Sequence, residues 1–389
     1  MMAVFKKEIL ENLRDRRVVI NTLLLGPLAA PLIFVLIISF TVQQTIDRAE
    51  AVLELPVVGA AHAPNLVRWL GQQGVIVTDA PSDPEQAILN EDEEVILRIP
   101  EGFAEAWNAG RPAVIEVLTD RSRRYAGTTV QRTQSLLASY GRQMGHLRLQ
   151  LRGVAPEVTQ PLRVQTVDLS TPESRGSMIL AFLPYVVLIT VFIGAMHMAI
   201  DTTSGERERR SLEPLLINPL ARWQIMAGKL LATTAFALAT LGLGLVAFTW
   251  ALKLLPTAEM DMALNLDFRV AVTAFFLVLP VALLAAAVLI ILAAFAKSYR
   301  EAQSYIGLVM FIPMIPSFWI LINPSRIELW MTLVPLLSQS MLILEMVRGE
   351  PLPLAWMATS FVTTTLVALA LAAVAGSLYN RPGLIFGDA

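Results

Sequence analysis

The sequence predicts an all-α polytopic membrane domain of six transmembrane helices with a re-entrant outer hairpin, into which an extracytoplasmic α/β domain is inserted. Three observations predict this. Hydrophobic residues form 55% of the chain and charged residues only 16%, against about 45–50% and about 25% in soluble domains. The apolar residues fall in continuous blocks of about 20, the length that crosses about 30 Å of hydrocarbon as a helix. Between the first two blocks, strand and helix patterns alternate.

Residues 1–17 are predicted to form an amphipathic helix along the inner membrane surface. Phe5, Ile9 and Leu13 share one helix face, and Lys6 and Lys7 lie on the other. A basic amphipathic helix beside a membrane span is typical of an interfacial segment. A solvated helical tail is the alternative.

The first span is predicted at residues 18–40. A cleaved signal peptide is the rival interpretation, because residues 49–51 read Ala-Glu-Ala, which resembles a cleavage site. The apolar stretch before this site has about 23 residues, whereas the apolar region of a signal peptide usually has about 7–15. The length therefore favours a membrane span.

Residues 41–177 are predicted to fold as the extracytoplasmic α/β domain. Short β-branched runs alternate with helical segments, which is typical of a small α/β unit. The predicted strands are 55–60, 75–79, 94–99, 113–118 and 162–167, and the predicted helices are 65–73, 84–90, 102–108 and 125–151.

Residues 178–380 carry the remaining spans, and residues 381–389 form a cytoplasmic tail. The basic residues set the orientation, because Lys and Arg concentrate on the cytoplasmic side of a membrane. With both termini in the cytoplasm, thirteen Lys and Arg lie inside, and the short outer loops hold only Lys253, Arg269, Arg326 and Arg348. Spans two to six are predicted at 178–200, 230–252, 270–296, 303–322 and 355–378.

Residues 323–354 are too apolar for a solvated outer loop. Two short helices, at 327–334 and 336–347, are predicted on either side of Pro335. Neither is long enough to cross the bilayer, so we expect a re-entrant hairpin buried against the spans. A seventh and an eighth span are the alternative.

The cytoplasmic segment 201–229 joins a run of charges to leucine anchors. Leu212, Leu215 and Leu216 fall on one helix face, directly after the charged residues 206–210. A short amphipathic helix of this kind is suited to docking in a groove on a partner and transmitting force. An ordinary basic anchoring loop is the alternative.

The same segment resembles the coupling region of type-2 ABC exporter permeases. That family usually carries an acidic-basic run, Gly-Thr-Leu-Glu-x-Leu-Leu, a proline and then Gly-Lys; here Arg210 replaces the first glycine and Pro214 follows the glutamate. Residues 99–120, which begin Ile-Pro-Glu-Gly-Phe, and residues 296–303 are also similar to family segments. The resemblance covers nearly the whole chain, and within the family it is nearest to the NatB branch, named for sodium export.

The resemblance implies an exporter of two permeases, identical or sister chains, and two cytoplasmic ABC ATPase subunits. ATP and Mg²⁺ would bind the ATPase, and this chain would hold no cofactor, no metal and no catalytic site. No G-x-x-x-x-G-K-[ST] phosphate-binding loop occurs in the sequence. The residues that the resemblance assigns to coupling are Glu206, Arg207, Glu208, Arg209, Arg210, Leu212, Glu213, Leu215, Leu216 and Pro219, with Lys297, Arg300 and Glu301 in the second inner loop.

The predicted spans offer little for a bare ion. Their interiors hold no ionisable residue except His197, whereas ion pathways normally need such residues. Amphipathic drug or lipid-like substrates therefore compete with Na⁺. Hydroxyl side chains that could line a substrate pathway are Thr233, Thr234, Thr240, Ser360, Thr363, Thr364 and Thr365.

Composition excludes several other functions. The chain has no cysteine, three scattered histidines and a net charge of −2, so we expect no disulfide, no metal cluster and no nucleic-acid partner. The prediction is an exporter permease of the bacterial inner membrane, in contact with the lipid bilayer. A non-transporting membrane anchor whose outer domain binds an envelope partner is the alternative from another class.

Overall fold

The computed structural model describes residues 1–120, 122, 127–159, 162, 165, 167, 169–209, 211, 220–255, 263–323 and 328–378. The chain divides into two compact units. The first unit comprises Met1–Thr41 and Leu169–Ala389, and the second comprises Val42–Asp168.

The described residues contain six helices that are long and apolar enough to cross a membrane, which confirms the predicted number. Spans two, three and four form the centre of the first unit, because more than half of their most apolar stretch is buried. Spans one, five and six are buried over about a fifth of that stretch or less. The six spans are Val19–Gln44, Leu180–Glu208, Arg222–Leu254, Phe268–Phe295, Tyr299–Ile322 and Leu354–Leu378.

Small residues let the central spans approach closely. A side chain added at Gly194 in span two would meet Thr240 of span three at 2.7 Å. Such a separation is shorter than any ordinary van der Waals contact, so only glycine fits there. Close backbone approach of this kind replaces the hydrophobic driving force that is missing between helices in lipid.

Span one is irregular where it begins. A π-helical segment runs over Val19–Leu25, and the α-helix that follows spans Gly26–Glu50 with Pro31 inside it. Proline removes a backbone donor, and both features interrupt the regular hydrogen-bond ladder.

Helix α1 (Met2–Arg14) precedes span one and packs against span three. Its buried residues are Val4, Glu8 and Asn12. Asn12 donates to the Glu8 carbonyl oxygen of the same helix, whereas Lys7 bonds to Glu206 of span two, so an ion pair holds α1 in addition to apolar packing.

Two short helices lie between spans five and six. A 3₁₀ helix covers Leu329–Leu333, and helix α7 covers Leu337–Arg348; residues 324–327, where the first of the two was predicted to begin, lie outside the described residues. Ten of the twelve residues of α7 are buried. It packs against spans two, four and five and against helix α6 (Pro172–Ile179). Neither short helix is long enough to count as a seventh or eighth span.

The second unit is built on a four-stranded sheet of order β2-β1-β3-β4. The central strand β1 is parallel to both neighbours, and β4 is antiparallel to β3. Of the predicted strand at 162–167, residues 163, 164 and 166 lie outside the described residues, and residues 162, 165 and 167 are not in a strand. The strands are β1 (Leu53–Val58), β2 (Val75–Asp79), β3 (Ile96–Arg98) and β4 (Glu116–Leu118), and the helices are α2 (Pro64–Gln72), α3 (Pro84–Leu89), α4 (Phe103–Asn108) and α5 (Gly127–Leu151).

The core of the second unit lies between the sheet and helices α2, α4 and α5. Leu55, Leu70 and Leu97 are fully buried there. Tyr140 of α5 stacks against Trp107 of α4, with ring centroids 5.7 Å apart. Aromatic stacking therefore joins α5 to α4, and Val130, Leu137 and Met144 of α5 also pack against the core.

Candidate functional site

Span two continues beyond its predicted end at Ile200. A π-helical segment at Asp201–Gly205 carries the helix on to Glu208. The hydroxyls of Thr202 and Ser204 donate to carbonyls four residues earlier in the same helix. This local bonding satisfies the polar side chains internally, so a polar stretch that resembles a loop in the sequence folds as a buried helix.

Glu206 is buried at the end of this helix, with 4% of its surface exposed. Its Oε2 atom accepts a hydrogen bond from the Nζ atom of Lys229, which is 0% exposed. The same ammonium also donates to the carbonyl oxygen of Thr202. An uncompensated charge would be costly here, and each ion stabilises the other.

Lys229 was predicted to lie in the inner loop, one residue before span three. Span three was expected to begin at residue 230, but its helix begins at Arg222. Lys229 therefore lies two turns inside the helix. The helix of span three therefore carries a buried cation close to its start.

The other carboxylate oxygen of Glu206 binds the N-terminal helix. Lys7 Nζ lies 2.8 Å from Glu206 Oε1 and 3.2 Å from Glu8 Oε1. Burial of Glu8 raises the pKa of its carboxyl. Burial alone would lower the pKa of Lys7, but the hydrogen bonds to Glu206 and Glu8 and the attraction of their negative charges together outweigh burial and raise that pKa. We call Lys7, Glu8, Glu206 and Lys229 the ionic junction.

Gly228 explains how α1 comes so close. A side chain on Gly228 would meet Val4 Cβ at 2.9 Å and the carbonyl oxygen of Met1 at 3.0 Å. The Gly-Lys pair thus has two separate physical roles. Gly228 lets α1 approach span three closely, and Lys229 neutralises the charge of Glu206.

Arg207 connects span two to span four. Its Nη1 and Nη2 atoms each donate a 2.9 Å hydrogen bond, to the carbonyl oxygens of Ala296 and Ala294 respectively. These carbonyls lie at the end of the span-four helix, where backbone oxygens lack helical partners and the helix dipole favours a cation.

Glu208 and Arg209 complete the end of span two. Glu208 Oε2 accepts a 2.8 Å hydrogen bond from the backbone nitrogen of Tyr299, where span five begins. Arg209 Nη2 donates to Asp201 Oδ1 at 2.6 Å. Four consecutive charged side chains therefore hold α1, span three, span four, span five and span two itself.

The second inner loop contributes a helix cap. Glu301 Oε2 accepts from the backbone nitrogen of Lys297, and the Ser298 hydroxyl accepts from the backbone nitrogen of Glu301. Ser298 is thus the N-cap of span five, and the Glu301 carboxylate bonds the backbone one residue before it. The side chains of Lys297 and Arg300 are exposed.

The remaining residues assigned to coupling lie outside the described residues. They are Arg210, Leu212, Glu213, Leu215, Leu216 and Pro219. Between Arg209 and Leu220 the structure describes only Ser211, and Leu220 lies next to the start of span three.

The structure divides the candidate hydroxyls into two groups. In the first, each hydroxyl donates to a carbonyl four residues earlier in its own helix; these are Thr233, Thr234, Thr240, Thr363 and Thr365. Such bonds satisfy the hydroxyl hydrogen without a ligand.

Ser360 and Thr364 form the second group, around a residue that sequence analysis missed. Gln339 of α7 is 0% exposed, and its Nε2 atom donates to Ser360 Oγ at 3.0 Å and to Thr364 Oγ1 at 2.8 Å. Its Oε1 atom accepts from the backbone nitrogen of Leu336. The amide therefore fastens the start of α7 to span six. Pro335 breaking an apolar run was the signal that a buried polar contact was needed nearby.

Within the described part of the chain, no group of three or more His, Cys, Asp or Glu residues could hold a metal ion. The site is a set of ion pairs and helix-end hydrogen bonds that join α1 and spans two, three, four and five.

Comparison with known proteins identifies the family. The model of the ABC-2 family transporter protein matches residues 16–375. The chain is 28% identical over 372 residues to the ABC transporter permease protein NatB of Bacillus subtilis (strain 168), covering 94% of each chain. The resemblance seen in the sequence is thereby confirmed: the chain belongs to the ABC-2 transporter family and is a multi-pass permease subunit of an ABC transporter.

Proposed function

We propose that this permease belongs to an exporter driven by a separate cytoplasmic ATPase, and that residues 206–219 receive the force of ATP binding. The observation that carries the proposal is the bonding of Glu206, Arg207 and Glu208. These three neighbours contact α1 and spans three, four and five. A push on the adjoining segment would reach four other helices through direct hydrogen bonds.

The chemistry of those bonds suits the task. Charge-assisted hydrogen bonds are stronger than neutral ones and fix geometry, so the helices they join move together. Buried ions cannot separate without a large desolvation penalty. The ionic junction is therefore a stiff connection at one end of the helices. The apolar parts of the spans beyond it would slide or rotate as rigid units.

The proposed arrangement has both termini in the cytoplasm, the second unit outside the bacterial inner membrane and the hairpin of α7 re-entrant from the outer face. The basic residues support this orientation. Two permeases, identical or sister chains, would pair with two ATPase subunits that bind ATP and Mg²⁺. No substrate chemistry or nucleotide binding is assigned to the permease itself.

For the substrate we propose an amphipathic or lipid-like molecule. The hydroxyl groups that could line a pathway already donate their hydrogens, either to carbonyl oxygens of their own helix or to other hydroxyls around Gln339. The buried cation Lys229 is committed to Glu206. Sodium, which resemblance to the NatB branch implies, is the second candidate; it would bind through the lone pairs of these hydroxyl oxygens, which donation of the hydrogens leaves available.

The test uses the complex of this permease with its ATPase partner, reconstituted in vesicles. Glu213→Arg and Leu216→Asp should retain ATP hydrolysis but reduce ATP-driven transport at least about tenfold, because the force no longer enters the spans. Matched controls are Glu101→Arg and Leu151→Asp, which change exposed positions of the second unit. Normal transport in both coupling variants would contradict the assignment.

The same vesicles address the substrate. Efflux of a hydrophobic dye and efflux of ²²Na⁺ are measured in parallel with the wild-type complex. Dye transport without sodium transport supports the amphipathic substrate, and the reverse result supports sodium. A chain that recruits no ATPase and moves neither probe would instead favour the membrane-anchor alternative.

A further inference from the structure

A groove opens on the outer surface of spans three and four, at the end of the bundle opposite to the ionic junction. It has a volume of about 360 Å³. Its lining is apolar except for Thr249 and Lys253 and includes Gly242, Val246 and Phe268. Val246 is 64% exposed and Phe268 is 76% exposed, so the groove faces whatever surrounds the bundle.

The length of the groove matches one half of a bilayer. Gly242 and Lys253 are eleven residues apart, which is about 16 Å along a helix. Half of the hydrocarbon core is about 15 Å thick. With Lys253 at the membrane surface, a groove of this length would reach the depth where a single acyl chain ends.

The positive charge of Lys253, at one end of the groove, favours a lipid with a negatively charged headgroup. Within the described part of the chain, Lys253 forms no salt bridge, and its side chain is exposed. The nearest described acidic residue along the chain, Asp267, uses its carboxylate to cap span four through the backbone nitrogen of Val270. Trp250, 69% exposed in the same groove, is the residue type that marks the headgroup level.

We propose that this groove is a binding site for an anionic phospholipid of the outer leaflet, with one acyl chain between spans three and four and the phosphate at Lys253. The choice of leaflet rests on the proposed orientation. Gly242 forms the deep end because it leaves room for the chain: an added Cβ would lie 3.6 Å from the Phe275 ring, an ordinary contact, with the groove open beyond it.

The test uses the full chain in nanodiscs of phosphatidylcholine and phosphatidylglycerol, without ATP. Photoactivatable phosphatidylglycerol, with a diazirine on its acyl chain, should crosslink to the segment 242–253, mapped by mass spectrometry. The same probe with a choline headgroup should label about fivefold less, since a basic residue near a membrane surface contributes about 1 kcal/mol toward an anionic lipid.

Two variants separate the two parts of the site. Lys253→Gln should abolish the headgroup preference while leaving the chain in the groove. Gly242→Phe should fill the groove and reduce labelling by both probes at least fivefold. Matched controls are Arg348→Gln, at a basic residue already paired with Glu345, and Gly307→Phe, at an open position in span five. Both controls should label like the wild type.

Several results would overturn the proposal. Equal labelling by both headgroups, or an unchanged preference in Lys253→Gln, would remove the anionic site. A disulfide between two Val246→Cys chains would identify the occupant as a second permease. Because no nucleotide or ATPase takes part, failure of the exporter proposal would leave these outcomes unaffected.

Discussion

Replacing Lys229 by methionine tests the ionic junction most sharply. In the wild type, both carboxylate oxygens of Glu206 are bonded, Oε1 to Lys7 and Oε2 to Lys229. Lys229→Met keeps the volume and the apolar stem but leaves Oε2 without its partner. Glu206 is 4% exposed, so water cannot take the place of the lost ammonium.

The expected cost follows from that burial. Removing one member of a buried ion pair typically destabilises a protein by about 3–5 kcal/mol. Lys7 remains on the other oxygen, so we expect the lower end, about 3 kcal/mol. The double variant Lys229→Met, Glu206→Met leaves no uncompensated buried charge, because Lys7 is 43% exposed and reaches solvent. We expect it to cost only about 1 kcal/mol, in line with apolar replacements of buried pairs.

The assay is a double-mutant cycle on the free energy of unfolding of the purified permease in mixed micelles. The losses of unfolding free energy in the two single variants should add up to at least about 2 kcal/mol more than the loss in the double variant. The matched control is the exposed pair of Arg348 and Glu345, 2.8 Å apart, whose cycle should give about 0.5 kcal/mol or less. Additive effects at Lys229 and Glu206 would refute the reasoning, because they would mean that neither charge depends on the other.

Three further predictions concern the neighbouring contacts. Gly228→Leu should displace α1, since even a Cβ would meet Val4 at 2.9 Å, and it should expose the N-terminal residues to protease at least tenfold faster. Glu8→Gln should remove a pH dependence of α1 docking. Because the pKa of Glu8 is raised in the folded state, the wild type has a stability contribution that is fully present below pH 4.5 and is lost as the pH rises through the folded-state pKa. Hydrogen exchange of the α1 backbone amides, measured across this pH range, checks the prediction. Gln339→Leu should cost about 1–3 kcal/mol in the unfolding assay, because it removes the partner of two buried hydroxyls, whereas an unchanged stability would contradict the role given to the cluster.

The spans could be predicted from the sequence because their signal is local. A continuous apolar run of sufficient length has one stable solution in lipid, and all six predicted runs match a helix in the structure. Helix ends were less predictable. The Thr-Thr-Ser run after Ile200 resembles a loop, yet its hydroxyls bond within the helix and carry span two on to Glu208.

The pairing of the charges could not be predicted. Lys7 and Glu206 are 199 residues apart, and Lys229 pairs across the interface of two spans. A sequence pattern indicates that residues 206–210 are charged but does not give the partner of each one. Gln339 escaped notice for the same reason, because its hydroxyl partners Ser360 and Thr364 lie in another helix.

The account depends most on the segment after Arg209 facing the cytoplasm and meeting the ATPase. The chain has no cysteine, so Ser211→Cys provides a unique label three residues beyond the end of span two at Glu208. A membrane-impermeant maleimide should label this cysteine in inside-out vesicles but not in intact cells, and bound ATPase should reduce the labelling rate at least about fivefold. Labelling from the outside of intact cells would contradict the central claim.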